Sequence, residues 1–155
     1  MPGLEDLYRE IILDHYRNPR NRGELPVPPA HRVEGYNPLC GDEIVVYLDV
    51  RDGVVEDIRI SGQGCSISQS AASMMSSAVK GRSVDQVREL SRAFKAMMSI
   101  HESSLEGDAE PAAEFDEAAL GDLAALRGVV KFPVRIKCAT LAWNTLAQGL
   151  DELDA

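Results

Sequence analysis

No stretch of this chain approaches the roughly 18 consecutive apolar residues of a membrane-spanning helix, so no membrane role is expected. The start, Met1-Pro2-Gly3-Leu4-Glu5-Asp6, lacks the basic and then apolar regions of a secretory signal; export is not expected, and the cytoplasm is the expected compartment. Cysteine is scarce. Three thiols cannot all pair within the chain, and a reducing compartment would keep them available for metal or sulfur chemistry, so a disulfide scaffold is not expected. Positive charge is short as well: 16 Lys and Arg against 25 Asp and Glu give a net charge of -9, the wrong sign for gripping nucleic-acid phosphates. The closely spaced cysteine pairs of common zinc modules are missing. Gly62-Gln63-Gly64 lacks the third glycine and the βαβ setting of a dinucleotide fingerprint. Without an internal repeat, a low-complexity tract or a dividing linker, residues 1–155 are expected to form a single domain.

What is there fits a globular protein: 155 residues, 45% hydrophobic and 26% charged. The acidity is local. Between Glu102 and Leu126 there are eight acids and no Lys or Arg, while the remainder carries 17 acids against 16 bases. Leu4, Leu7, Tyr8, Ile11, Ile12 and His15 recur at helical spacing up to Asn18-Pro19, which predicts an amphipathic helix with His15 as a satisfied structural residue. Pro26, Pro28 and Pro29 predict a stiff linker before a short edge strand over His31–Tyr36. Alternation from Ile44 to Val50, the Asp52-Gly53 turn signal and the return through Val54, Val55, Ile58 and Ile60 predict a β-hairpin. A helix carrying Ile67, Ala71, Met74, Met75, Ala78 and Val79 should follow, with Gly81 as its cap. Ser83-Val84-Asp85-Gln86 reads as a capping box for a third helix that buries Val87, Leu90, Phe94, Met97 and Met98. Residues 102–118 contain Gly107 and Pro111 without an apolar period and read as an acidic, solvated insert, followed by a short helix over Leu120–Arg127. A last helix starts at Pro133 and runs to about Leu150. Sheet first and helices after it give an α+β fold with helices on one sheet face.

The three cysteines all stand near element boundaries. Cys40 and Asp42 flank Gly41, Cys65 precedes a helix, and Cys138 lies in the first turns of the last helix. A thiol at a helix N-terminus is favoured as thiolate by the dipole and free amides. Should these boundaries meet in space, three thiolates and a carboxylate form a tetrahedral set suited to Zn²⁺. Each residue also has a simpler reading: a lone cysteine is often a small buried hydrophobe, and Asp42 is a good turn residue before a strand. The pairs Met74-Met75 and Met97-Met98 read as core filling.

Four motifs together carry a resemblance over nearly the whole chain. They are Asp14-His15-Tyr16-Arg17-Asn18-Pro19-Arg20-Asn21-x-Gly23; Cys40-Gly41-Asp42; Gly64-Cys65-Ser66-Ile67-Ser68 with Ala71-Ala72-Ser73-Met74-Met75; and Lys131-Phe132-Pro133-x-Arg135-Ile136-Lys137-Cys138-Ala139-Thr140-Leu141. In this order they resemble the SufU branch of the IscU/NifU N-terminal family. The resemblance implies a small antiparallel three-stranded sheet packed by helices, with Cys40, Asp42, Cys65 and Cys138 gathered as metal ligands at one exposed end. IscU-type scaffolds have a histidine where this chain has Lys137, and the longer stretch before the last motif is also SufU-like. The branch implies zinc-dependent transfer of persulfide sulfur in iron-sulfur cluster biogenesis, with one Zn²⁺ per chain, from a SufS-type cysteine desulfurase to the Suf assembly machinery. The alternative it leaves is a scaffold that holds a labile iron-sulfur cluster on the same ligands. Within that reading Cys40, on a loop, is the expected sulfur acceptor. Arg135, together with Lys137, would offset the site's charge and steer the anionic persulfide, although a solvated charge pair beside a helix start reads equally well from the residues.

Overall fold

The hairpin that centres the sheet is closed by Asp52 and Gly53, whose φ angles of 54° and 75° are the two positive values a type I′ turn requires. The computed structural model describes residues 4–27, 29–38, 41–106, 121–131 and 133–154. Strands β2 (Asp42–Arg51) and β3 (Val54–Gln63) flank that turn, and β1 (His31–Asn37) pairs antiparallel with β2, giving the order β1-β2-β3. Alternation buries Val33, Ile44, Val46, Leu48, Ile58 and Ile60 on one face. Arg32, Glu34 and Tyr36 are exposed on the other, where Arg32 pairs with Glu34 and stands across the ladder from Tyr47. The α+β expectation with helices on one face is met.

Helix α1 (Leu4–Arg17) is followed, after the sheet, by α2 (Ser66–Val79), α3 (Val84–Glu106) and α4 (Pro133–Asp154). Pro133 opens α4, where its missing N–H costs nothing. Close approach fixes how α4 lies on the sheet. A side chain at Gly35 of β1 would overlap Thr145 Oγ1, and one at Gly149 would stand 2.9 Å from Val33 and 3.0 Å from Leu48. The C-terminal half of α4 thus crosses the middle of β1, which carries its first turns, with Cys138, to the Asn37 end of that strand. Beneath α3 and α4 lie Phe94 and Trp143, ring centroids 5.6 Å apart, with Met74, Met75, Met97 and Met98 as the expected core filling.

The capping box forms as the sequence predicts: the Ser83 amide donates to Gln86 Oε1 at 3.1 Å and the Gln86 amide donates to Ser83 Oγ at 3.2 Å. Ser83→Ala should therefore lower stability by about 1 kcal/mol, read as a shifted urea midpoint at unchanged slope.

Gly81 directly follows the C-cap Lys80 and takes the left-handed φ of 83° expected of a capping glycine; its amide donates to Val55 O at 2.7 Å, and the last helical bond comes from Lys80. Two expectations change. Helix α3 continues through Glu106, five residues into the segment expected as loop, because no glycine or proline interrupts it before Gly107; the rest of the insert, 107–118, lies outside the described residues. The short helix expected over Leu120–Arg127 is instead a 3-10 helix over Gly121–Lys131 that buries Leu123, Ala124, Ala125, Leu126 and Val129.

The Asp14–Gly23 motif joins α1 to α2 and β3. His15, buried as expected, shares a 2.8 Å hydrogen bond with Ser73 Oγ, to which the Arg20 amide also donates at 2.8 Å. Asn21 donates to Ser76 Oγ at 3.1 Å, and Arg20 pairs with Asp14 at 2.5 Å. The Gly23 amide donates to Ile60 O and the Ile60 amide to Asn21 O, covering the edge of β3 with backbone bonds. Of the helix stripe, Ile11 and Ile12 pack on the core; the side chains of Leu4, Leu7 and Tyr8 lie outside those described.

Candidate metal centre

Chain ends that are remote in sequence meet at one end of the sheet. Asn37 closes β1 and faces Asp42, the first residue of β2, as the last pair of their ladder. Strand β3 ends at Gln63, and Gly64 and Cys65 lead at once into α2. The first turns of α4 bring Cys138. As a result one carboxylate oxygen of Asp42 and the Sγ atoms of Cys65 and Cys138 all lie within 4.8 Å of one another. Asp42 and Cys138 are fully buried and Cys65 is half-buried.

Asp42 is the hub. Its Oδ1 accepts the Cys65 amide at 3.0 Å and the Ser68 hydroxyl at 3.2 Å, so it caps α2 from outside the helix. Its Oδ2 accepts Asn37 Nδ2 at 3.3 Å. Burial alone would push its carboxyl up, but the Cys65 amide, then the contacts with Cys138, Ser68 and Asn37, together hold it below the usual carboxylate range. Cys65 stands at the N-cap with no hydrogen bond from its side chain to the helix, which leaves the sulfur available beside the positive end of α2. Gly64 is where it must be: a Cβ there would overlap Ser68 Oγ and stand 2.5 Å from Asp42 Oδ1.

The exposed Arg135 reaches back to the thiols. Its guanidinium is held charged above its ordinary range, first by a hydrogen bond to Cys138 and then by the charges of Cys65 and Cys138. Lys137 is exposed, and at two residues further it points about 200° away around the helix, so the two cations do not act from the same side. The structure thus brings together Asp42, Cys65, Cys138 and Arg135 of the expected site. Cys40 lies outside the described residues, among the four that join Asn37 to Asp42 in the chain; of these Gly41 has φ 68°. Asn37, Ser68 and Gly64 were not expected from sequence. Asn37-Pro38 reads locally as a turn, and although Gly64 and Ser68 fall within a family motif, neither carries a donor role that the local pattern would distinguish from packing in a small-residue helix.

The donor set fits zinc. Around a tetrahedral ion with ordinary Zn–S and Zn–O lengths, ligand atoms stand roughly 3.3–3.8 Å apart, and two sulfurs and an oxygen already within 4.8 Å need only a small contraction.

Fold and site define an α+β protein with a thiol and carboxylate cluster at one end that could hold a metal ion. The chain belongs to the NifU-like N terminal domain family, which matches residues 7–150. It is 43% identical over 147 residues to the zinc-dependent sulfurtransferase SufU of Bacillus subtilis (strain 168), covering 95% of this chain and 91% of that protein. It is 37% identical over 147 residues to the iron-sulfur cluster assembly scaffold protein IscU of Streptococcus pyogenes serotype M1, covering 95% and 84%. Among solved structures, FiSufU from Fervidobacterium islandicum AW-1 matches with a TM-score of 0.73 at 32% identity over 96% of this chain and 99% of that one. A nitrogen-fixing NifU-like protein (N-terminal) from Brucella abortus matches with a TM-score of 0.78 at 25% identity over 98% of both.

Proposed function

We propose that this chain serves iron-sulfur cluster biogenesis as a zinc-dependent sulfur acceptor and donor, taking persulfide sulfur from a SufS-type cysteine desulfurase and passing it to the Suf assembly machinery. The observation that carries the reading is the convergence of Asp42, Cys65 and Cys138; the 43% identity to a zinc-dependent sulfurtransferase supports it. Cys40 is the fourth ligand and the acceptor. Bound zinc would keep the thiols deprotonated while offsetting half of the roughly four negative charges of three thiolates and a carboxylate.

Among the thiols, Cys65 and Cys138 are tied to the start of α2 and the first turns of α4, where helical hydrogen bonds resist displacement. In the sequence Cys40 falls between Pro38 and Gly41, residue types that suit a loop, and this makes it the thiol expected to move without unwinding a helix. The Cys40 thiolate attacks the outer sulfur of the desulfurase persulfide. A new S–S bond forms at Cys40, the persulfide S–S bond breaks, and the partner's cysteine leaves as thiolate, so sulfur moves without net oxidation. Arg135, a cation beside Cys65 and Cys138, orients the anionic persulfide and offsets charge on the thiols.

After incubation with desulfurase and free cysteine, mass spectrometry should find the added sulfur on the Cys40 peptide, and Cys40→Ser should abolish it. Persulfide mainly on Cys138 would overturn the acceptor assignment and leave sulfur transfer standing. The scaffold reading draws on the IscU relative and on a carboxylate ligand that would make a cluster labile. It would prevail if the protein, kept free of oxygen, assembled a cluster and passed it intact to an apo-protein.

A further inference from the structure

Asn37 touches both a carboxylate and a thiol of the cluster without being a metal donor itself. It is 5% exposed, ends β1 and stands directly across the ladder from Asp42. Its side-chain amide nitrogen donates to Asp42 Oδ2 at 3.3 Å and to Cys138 Sγ at 3.8 Å. The other carboxylate oxygen is used differently. Oδ1 accepts both the Cys65 amide and the Ser68 hydroxyl, which fills its two lone-pair directions, whereas Oδ2 accepts Asn37; one oxygen of this carboxylate lies within 4.8 Å of both sulfurs.

We infer that Asn37 is a positioning residue of the metal centre: it fixes the Asp42 carboxylate so that Oδ2 alone is offered to a cation, and it holds Sγ of Cys138 beside that oxygen. The inference rests on the metal-binding reading above and adds to it the residue that sets the geometry. The planar amide is suited to this work because its two N–H groups point in fixed, divergent directions. A hydroxyl offers one such donor, and an aliphatic side chain of the same size offers none.

The test compares the native protein with Asn37→Leu, which keeps the volume, and with Asn37→Thr, which keeps one donor on a strand-compatible side chain. Zinc affinity is measured by competition with a chelator, and cobalt is loaded in place of zinc so that its absorption reports ligand geometry. Asn37→Leu should bind zinc about 10–100-fold more weakly, the usual cost of losing an outer-shell partner, and should show an altered cobalt spectrum, with Asn37→Thr between it and the native protein. A purely structural role would lower the melting temperature of the metal-free protein while leaving the zinc affinity and cobalt spectrum of the folded variants unchanged; that result overturns the inference. If Asn37→Leu does not fold, the affinity and spectrum of Asn37→Thr decide in the same way. Failure of the native protein to take up either metal would instead overturn the metal-centre reading, and this inference with it.

Discussion

Asp42→Ala should release zinc and lower the melting temperature even though all three cysteines remain. The loss of affinity should exceed the roughly 10–100-fold that removal of an outer-shell partner costs, because here the ligand itself is lost. The apo-protein should suffer too. Asp42 is fully buried, and truncating it leaves the Cys65 amide, the Ser68 hydroxyl and the Asn37 amide without their acceptor. Each buried donor stranded in this way costs about 1–3 kcal/mol. Thermal unfolding with and without a chelator separates the two contributions: the native protein should melt lower after metal removal, whereas the variant should melt low in both conditions. Zinc affinity and melting temperature equal to those of the native protein would refute Asp42 as a ligand.

Gly64→Ala should damage the site almost as much through one added methyl group. The new Cβ would lie 2.5 Å from Asp42 Oδ1 and overlap Ser68 Oγ. Ser68 can rotate away; Asp42 cannot, since it is held from both sides by the amides of Cys65 and Asn37. Relief requires the carboxylate to swing or the start of α2 to shift, and either motion pulls Asp42 away from the thiols. The expected result is weak zinc retention together with destabilisation of about 1–3 kcal/mol, the usual cost of overpacking. By contrast, none of the described residues stands within 4 Å of a Cβ at Gly41, so among them Gly41→Ala would meet only the strain of its positive φ. An unaltered zinc content in Gly64→Ala would show that the carboxylate and α2 can separate without cost to the site.

Local rules sufficed for most of the elements. The period of two from Ile44 to Val50, the Asp52-Gly53 turn and the Ser83/Gln86 box each act over a few residues, so the side chains that decide the structure are those read in the window. They failed for the 3-10 helix over Gly121–Lys131, whose apolar residues fit a helix of either pitch, and for the start of the insert, where acidity and weak periodicity suggested a loop although no residue before Gly107 breaks a helix.

For the site, the sequence by itself determined the chemistry: which thiols and carboxylate are present, at which element boundaries they stand, and the family motifs that make Cys40, Asp42, Cys65 and Cys138 a credible donor set. Tertiary structure alone decided the rest. It brought Asp42, Cys65 and Cys138 together, turned the Asp14–Gly23 motif into a clamp on α2 and β3, and gave Asn37, Ser68 and Gly64 their places around the carboxylate. The reason is separation along the chain: Asn37 meets Cys138 across 101 positions and Ser68 meets Asp42 across 26. A polar residue whose partner lies that far away looks, in its own neighbourhood, like any residue of a turn or a solvated helix face, and only the packing of α4 on β1 and of α2 beside β2 and β3 shows which atoms it satisfies.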